Sequence, residues 1–327
     1  MHRITSICVS FLSLAAPVAA GDFRLEQPID CTLDDDCYIQ QFVDHTPGPG
    51  ALDFRCGTLS YDGHTGTDFA LPFLTDMDRG VTVTAAAAGV VRGLRDGMPD
   101  QVVTDDNRDQ LRERGCGNGV ALQHPDGWET QYCHLKQGSI QVENGQHVAA
   151  GDALGQVGLS GNTQFPHLEL VVRHNGTIID PFSPRNLALH PGTTCPSPGP
   201  TLWETPIAYT PGGLIGAGFS DKIPDYDLIK SGSANQHALP RDAAALVLWG
   251  FAYGGQEGDI LRLTIDGPSG PIASHDTELD KPKAQFFRAT GKRLKTDAWP
   301  TGIYRGTVTM VRKDLVLDQL NIALTLP

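Results

Sequence analysis

The sequence predicts a mainly β protein of antiparallel strands arranged in two units. Short apolar runs recur between Gly, Asn-Gly and Pro-Asp-Gly turns from about residue 57 to 181. The stretch Pro191–Pro200, with four prolines and two glycines, then interrupts the pattern, and a second set of strand-like runs follows it. A chain of 327 residues is long enough for two cores. In the first unit the strands read as Val81–Ala85, Gly89–Arg92, Gly119–His124, Trp128–Leu135, His167–Arg173 and Thr177–Ile179. Asp96–Arg114 is polar and too long for a hairpin turn, and reads as a surface insertion or short helix. The second unit reads as Ala243–Phe251, Asp259–Ile265, Phe286–Arg288, Ile303–Arg312 and Gln319–Leu326, a small β-sandwich. Trp249, Phe251 and Tyr253 stand at alternate positions and form either a core face or an exposed stripe, with the core preferred.

Composition excludes several functions. Lys and Arg number 25 against 38 Asp and Glu, a net charge of −13, so the chain has no electrostatic footprint for nucleic acid or anionic lipid. Arg3, the apolar run Ile7–Ala16 and the small residues Val18 and Ala20 read as a secretory signal over residues 1–20, with the mature chain beginning near Gly21 in a periplasm or outside the cell. No later segment approaches about 20 consecutive apolar residues, so no integral membrane association is expected. Cys8 leaves with the signal; Cys31, Cys37, Cys56, Cys116, Cys133 and Cys195 remain, an even set that predicts up to three disulfides in an oxidising compartment. The pairings stay open, with the short Cys31–Cys37 loop the preferred one. The expected organisation is a signal (1–20), a Cys-containing segment (21–56), a first β unit (57–190), a linker (191–200) and a C-terminal sandwich (201–327).

Three short motifs carry the chemistry. His64 and Asp68 in His-Thr-Gly-Thr-Asp are four apart, a spacing that returns both side chains to one side of a helix or a strand. In His167-Leu-Glu169 the period of two puts His167 and Glu169 on one face with Leu168 opposite. His134, in Tyr132-Cys-His-Leu135, is expected by the same alternation to share a face with Tyr132, with a disulfide at Cys133 pointing away from the site. Each piece alone fits an ordinary structural histidine. Together they provide three nitrogen and carboxylate ligands for a catalytic zinc, with imidazoles left over for proton transfer and oxyanion stabilisation.

These motifs resemble the lysostaphin/LytM-type zinc metallopeptidases of bacterial peptidoglycan. The match runs in order through His64-x-x-x-Asp68, Val83-Thr-Ala-Ala-Ala-Ala-Gly-Val-Val, the hairpin ending in Tyr132-Cys-His-Leu135, Gly145–Gly158, Gly158-Leu-Ser-Gly-Asn, Pro166-His-Leu-Glu, Arg173-His-Asn-Gly and Asp180-Pro. It covers about residues 57 to 185. The resemblance implies an antiparallel LytM/lysostaphin-like β-sheet domain, the duplicated hybrid motif, ahead of the sandwich. It implies one Zn2+ per chain on His64, Asp68 and Glu169, with His134 and His167 catalytic and peptidoglycan peptides or another peptide as substrate. One position departs from the family: Glu169 stands where the usual His-x-His motif has its metal-binding histidine. Glutamate is a competent zinc ligand. Asp68 and Glu169 together balance a divalent charge, which weakens the ion as a Lewis acid and admits a harder ion such as manganese. A second reading follows: a catalytically impaired LytM-like module that binds wall peptides or partners a wall hydrolase.

Two other motifs carry no chemistry. Gly158-Leu-Ser160-Gly-Asn lacks the glycine spacing of a nucleophile elbow and reads as a tight turn. Asp105-x-Asn107-x-Asp109 opens like a calcium loop, but Gln110 and Cys116 stand where such a loop needs its glycine and bidentate glutamate.

Overall fold

The computed structural model describes residues 22–185, 188, 189, 194, 195, 197 and 199–327; the signal expected at 1–20 and parts of the expected linker lie outside them. Its strands are β1 (Tyr38–Gln41), β2 (Thr67–Ala70), β3 (Thr82–Thr84), β4 (Gly89–Arg95), β5 (Asn118–Gln123), β6 (Trp128–Leu135), β7 (His147–Val148), β8 (Ala153–Gln156), β9 (His167–His174), β10 (Thr177–Ile178), β11 (Gly213–Ser220), β12 (Ala245–Gly255), β13 (Ile260–Gly267), β14 (Gly270–Glu278), β15 (Lys283–Arg293), β16 (Gly302–Arg312) and β17 (Leu315–Leu326). Among the described residues no helix is long and apolar enough to cross a membrane.

An eight-stranded sheet runs β1-β2-β9-β6-β5-β4-β7, with β10 beside β9, while β3 and β8 form a separate ladder. Two further sheets, β11-β12-β15 and β14-β13-β16-β17, follow in the C-terminal part. Every ladder between these strands is antiparallel. The mainly β, antiparallel class therefore stands as the sequence predicts.

Strand β12 explains how the parts join. It is buried along almost its whole length. Trp249, Phe251 and Tyr253 belong to the core that includes Phe69, Leu168 and Tyr132, while Leu246, Leu248 and Ala252 belong to the core of the second pair of sheets. The alternation of a strand therefore gives each core one face of β12. Trp249 and Phe251 are core residues, and truncating either to Ala would cost about 3–5 kcal/mol.

The sequence reading does not include β1, β2, β7, β8, β11 and β14. Strands β1 and β2 have four residues each and are buried throughout, so no polar alternation announces them. In β11 the glycines Gly216 and Gly218 serve close approach: side chains there would collide with Phe73 and Trp249. Residues 22–56 are packed into the first core through Leu25, Ile29, Tyr38 and Phe42, and β1 is an edge strand of the large sheet.

The polar stretch 96–114 contains a helical turn, Arg108–Leu111, and a 3-10 turn, Arg112–Arg114. Its Asp96 carboxylate accepts from the Gly138 N–H (2.7 Å), and Asp100 accepts from Gln137 (2.9 Å) and Leu159 (2.7 Å). These bonds pin it beside the loop that follows β6 and the segment that follows β8. Disulfides join Cys31–Cys37, Cys56–Cys195 and Cys116–Cys133.

Candidate metal and catalytic site

Three adjacent strands of the large sheet build the site. In the register of β2 and β9, Asp68 pairs with Glu169, and in the register of β6 and β9, Cys133 pairs with the same Glu169. Directly opposed residues of antiparallel strands project to one face. Asp68, Glu169 and His167 thus share a face, while Leu168 is buried in the core behind them. His64 sits in the turn before β2. Its Nδ1 donates to the Phe42 carbonyl (2.9 Å), an acceptor that fixes the tautomer and leaves Nε2 facing Asp68 Oδ1 at 3.1 Å and Glu169 Oε1 at 3.7 Å.

His134 reaches this face by a route that strand alternation does not predict. Tyr132 turns into the core, where its hydroxyl accepts from the Ala86 N–H at 2.8 Å. Cys133, opposite Glu169, projects to the site face. Between β5 and β6 the register shifts so that Cys133 and His134 stand against Gly119 alone, which is a β-bulge. The backbone of His134 takes φ 63°, a left-handed conformation uncommon for any residue but glycine. The bulge and this φ re-aim the imidazole toward Glu169. The expectations that His134 shares a face with Tyr132 and that the Cys133 disulfide points away from the site are therefore corrected.

His134 Nε2 lies 3.5 Å from Glu169 Oε2, His167 Nε2 lies 3.6 Å from Asp68 Oδ1, and the two rings are 4.5 Å apart. Each imidazole is fixed from behind by a carbonyl: His134 Nδ1 donates to Ser160 (2.8 Å) and His167 Nδ1 to Phe165 (2.9 Å). Both therefore present Nε2 to the same space.

Burial opposes the charged form of every group here, and the neighbours decide which way each one moves. For His64, burial alone would lower the pKa, but Asp68 and Glu169 outweigh it and raise the imidazole to about 9. Asp68 is pushed up by burial and pulled down further by His64 and His167, so its carboxyl lies below the usual range. Burial and the neighbouring His134 push His167 down to about 4. His134 moves upward, because its bond with Glu169 overcomes the burial.

The donor set suits a divalent ion. One ligand atom each from His64, Asp68 and Glu169 lies within 4.8 Å of the others, and one nitrogen with two carboxylate oxygens is chemistry that zinc accepts. Sequence reasoning missed the parts that hold this set in place: the carbonyls of Phe42, Ser160 and Phe165, and Tyr61. The Tyr61 ring stacks on His64 with centroids 4.4 Å apart and is 54% exposed. Backbone acceptors leave no residue-type signal. Ser160 itself is buried, its hydroxyl donating to the Leu135 carbonyl (2.7 Å), in keeping with a turn role.

Comparison with known proteins agrees with these motifs. Residues 62–181 match peptidase family M23. Over 120 residues the chain is 34% identical to the DD-carboxypeptidase/endopeptidase Mpg of Neisseria meningitidis serogroup B, covering 37% of this chain and 22% of that protein. Over 112 residues it is 35% identical to the peptidoglycan DD-endopeptidase ShyA of Vibrio cholerae, covering 34% of this chain and 20% of that protein. The catalytic domain of lysostaphin from Staphylococcus simulans aligns with 24% identity and a TM-score of 0.28, covering 42% of this chain and 85% of that domain. The chain thus spans about a fifth of the length of these curated relatives. Over residues 62–181, then, the chain is similar to peptidase family M23, in keeping with the ordered motifs.

Proposed function

We propose that this chain is an exported metallopeptidase that hydrolyses peptide bonds in peptidoglycan cross-links or bridges. The observation that carries the reading is convergence: three donor atoms within 4.8 Å of one another, flanked by two imidazoles that face the same space through Nε2. The names of the relatives, a DD-carboxypeptidase/endopeptidase and a peptidoglycan DD-endopeptidase, favour a wall-peptide substrate. His64, Asp68 and Glu169 would hold zinc or another divalent ion. When bound, that ion supplies Lewis-acid polarisation of a carbonyl and acidifies water, moderated by the two carboxylates.

The remaining chemistry belongs to the chain's own residues. His167 accepts a proton at Nε2 while Phe165 holds its Nδ1–H. His134 retains its proton more firmly and donates from Nε2 to the oxygen that gains charge. No covalent intermediate is needed. In this reading residues 57–190 form the peptidase unit, completed by the Phe42 carbonyl, and the sandwich 201–327 orients it on the wall.

A second reading rests on Glu169: a two-carboxylate set suits a module that binds wall peptides or a wall enzyme without cutting. Digestion of cross-linked muropeptides separates the two, with metal content read by mass spectrometry. Wild type should cleave with about one metal per chain. His134→Ala should keep its metal and lose about 100- to 10,000-fold in rate, and Glu169→Ala should lose the metal. A metal-loaded wild type that leaves the substrate intact would overturn the peptidase reading in favour of the binding module.

A further inference from the structure

We infer that the Cys116–Cys133 disulfide is the positioning device for His134, so that breaking it disarms this imidazole while leaving the metal-ligand set in place. The inference rests on the assignment of His134 to proton transfer.

A side-chain-bearing residue in a left-handed conformation persists only where its surroundings over-determine it. Two carbonyls do so here. Cys116 accepts the His134 backbone N–H at 2.8 Å, and Ser160 accepts its Nδ1–H at 2.8 Å. The Ser160 arm is anchored many times over: its hydroxyl donates to Leu135 (2.7 Å) and accepts the Asn118 N–H (2.8 Å), and the Asn118 side chain also reaches the Leu135 carbonyl (3.2 Å). The Cys116 arm has less. Cys116 precedes β5, outside the ladder, and its covalent tie to Cys133 spans the bulge whose second residue is His134. Gly119 is the lone residue opposite the bulge, where a Cβ would stand 2.5 Å from the Tyr132 carbonyl oxygen and 3.0 Å from Cys116 Sγ. Gln131 Nε2 donates to the same sulfur (3.2 Å), and Arg173 holds Gln131 from the other side (2.9 Å).

His64 and Asp68 depend on none of these contacts, and Glu169, which pairs with Cys133 across β6 and β9, is held from its other side as well. Asp68 and Glu169 sit in the β2–β9 ladder, and His64 is held by Phe42. The disulfide therefore acts first on His134, while the second ladder keeps Glu169 in register with Asp68. A displacement of about 1 Å in a proton-transfer group can cost about 100-fold in rate.

The test compares the full chain with a Cys116→Ala/Cys133→Ala variant, using Cys31→Ala/Cys37→Ala as the control for loss of a disulfide. Four quantities are read: kcat and KM on cross-linked muropeptide, zinc affinity by competitive titration, and the imidazole Nδ1–H resonance of His134 by nitrogen-15 NMR. The expected result is a kcat reduced about 100-fold, with KM and zinc affinity nearly unchanged, the Nδ1–H signal lost, and a control that behaves as wild type. Unchanged kcat and Nδ1–H signal would overturn the inference, and so would zinc affinity falling in step with kcat. If wild type cleaves nothing, the peptidase reading fails, and the Nδ1–H resonance decides the positioning claim: lost in the variant it stands, retained it falls. If the double variant does not fold, phosphine reduction of the native protein supplies the same readouts, with alkylation and mass spectrometry reporting which thiols are free.

Discussion

Gly66 lies so close to Glu169 that a methyl group on it would come within 2.6 Å of Glu169 Cγ and 2.8 Å of Oε1. The glycine is there for space, since its backbone is not left-handed. It clears the position from which Glu169 faces His64 and His134.

Gly66→Ala should therefore push Glu169 out of the donor set without unfolding the chain. Disturbing a neighbour that orients a ligand weakens metal binding by roughly 10- to 100-fold. A zinc titration against a chromophoric chelator measures this. An unchanged affinity would show that Glu169 is not the third ligand.

Zinc uptake should release a proton. Burial alone would lower the pKa of His64, but Asp68 and Glu169 raise it to about 9 in the metal-free protein, so at neutral pH Nε2 carries a proton that the ion must displace. Apparent affinity should climb as pH rises toward 9, by about tenfold per unit for one proton. Calorimetry in buffers of different ionisation enthalpy reads the proton directly, and a binding enthalpy independent of buffer would refute the prediction.

His124 should make stability fall on the acid side. Its Nδ1 donates to the Ala88 carbonyl (2.7 Å) and its Nε2 meets the Thr130 hydroxyl (2.8 Å). Burial lowers its pKa from the ordinary 6.5, an effect only partly opposed by the Ala88 bond. The unfolded chain then binds a proton at a higher pH than the folded one. The stability His124 contributes is complete above about pH 6.5 and is lost as pH falls through the lower folded value. Urea unfolding of wild type and His124→Gln between pH 5 and 8 should give a steeper slope for wild type; parallel slopes would count against it.

The site was legible where chemistry depends on residue type. His64, Asp68, His134, His167 and Glu169 stand out in combination and through the ordered motifs, not singly, and the structure brings all five together. Alternation placed His167, Leu168 and Glu169 on their proper faces, since β9 is regular there. It failed at His134, where a bulge and a positive φ cancel the period of two. Strands β1 and β2 left no pattern because burial on both faces removes the alternation that a half-exposed strand displays.

By itself the sequence pointed to the antiparallel β class, the ordered motifs and, as the preferred pairing, Cys31–Cys37, while the family resemblance of those motifs named the five side chains of the candidate site. Only the tertiary structure decided the other two disulfides, the acceptors behind each imidazole, the space that Gly66 leaves for Glu169, and the face on which His134 emerges. These depend on contacts between segments far apart in the chain, such as Cys56 with Cys195 or His134 with Ser160, and on a backbone conformation that no residue type at position 134 would announce.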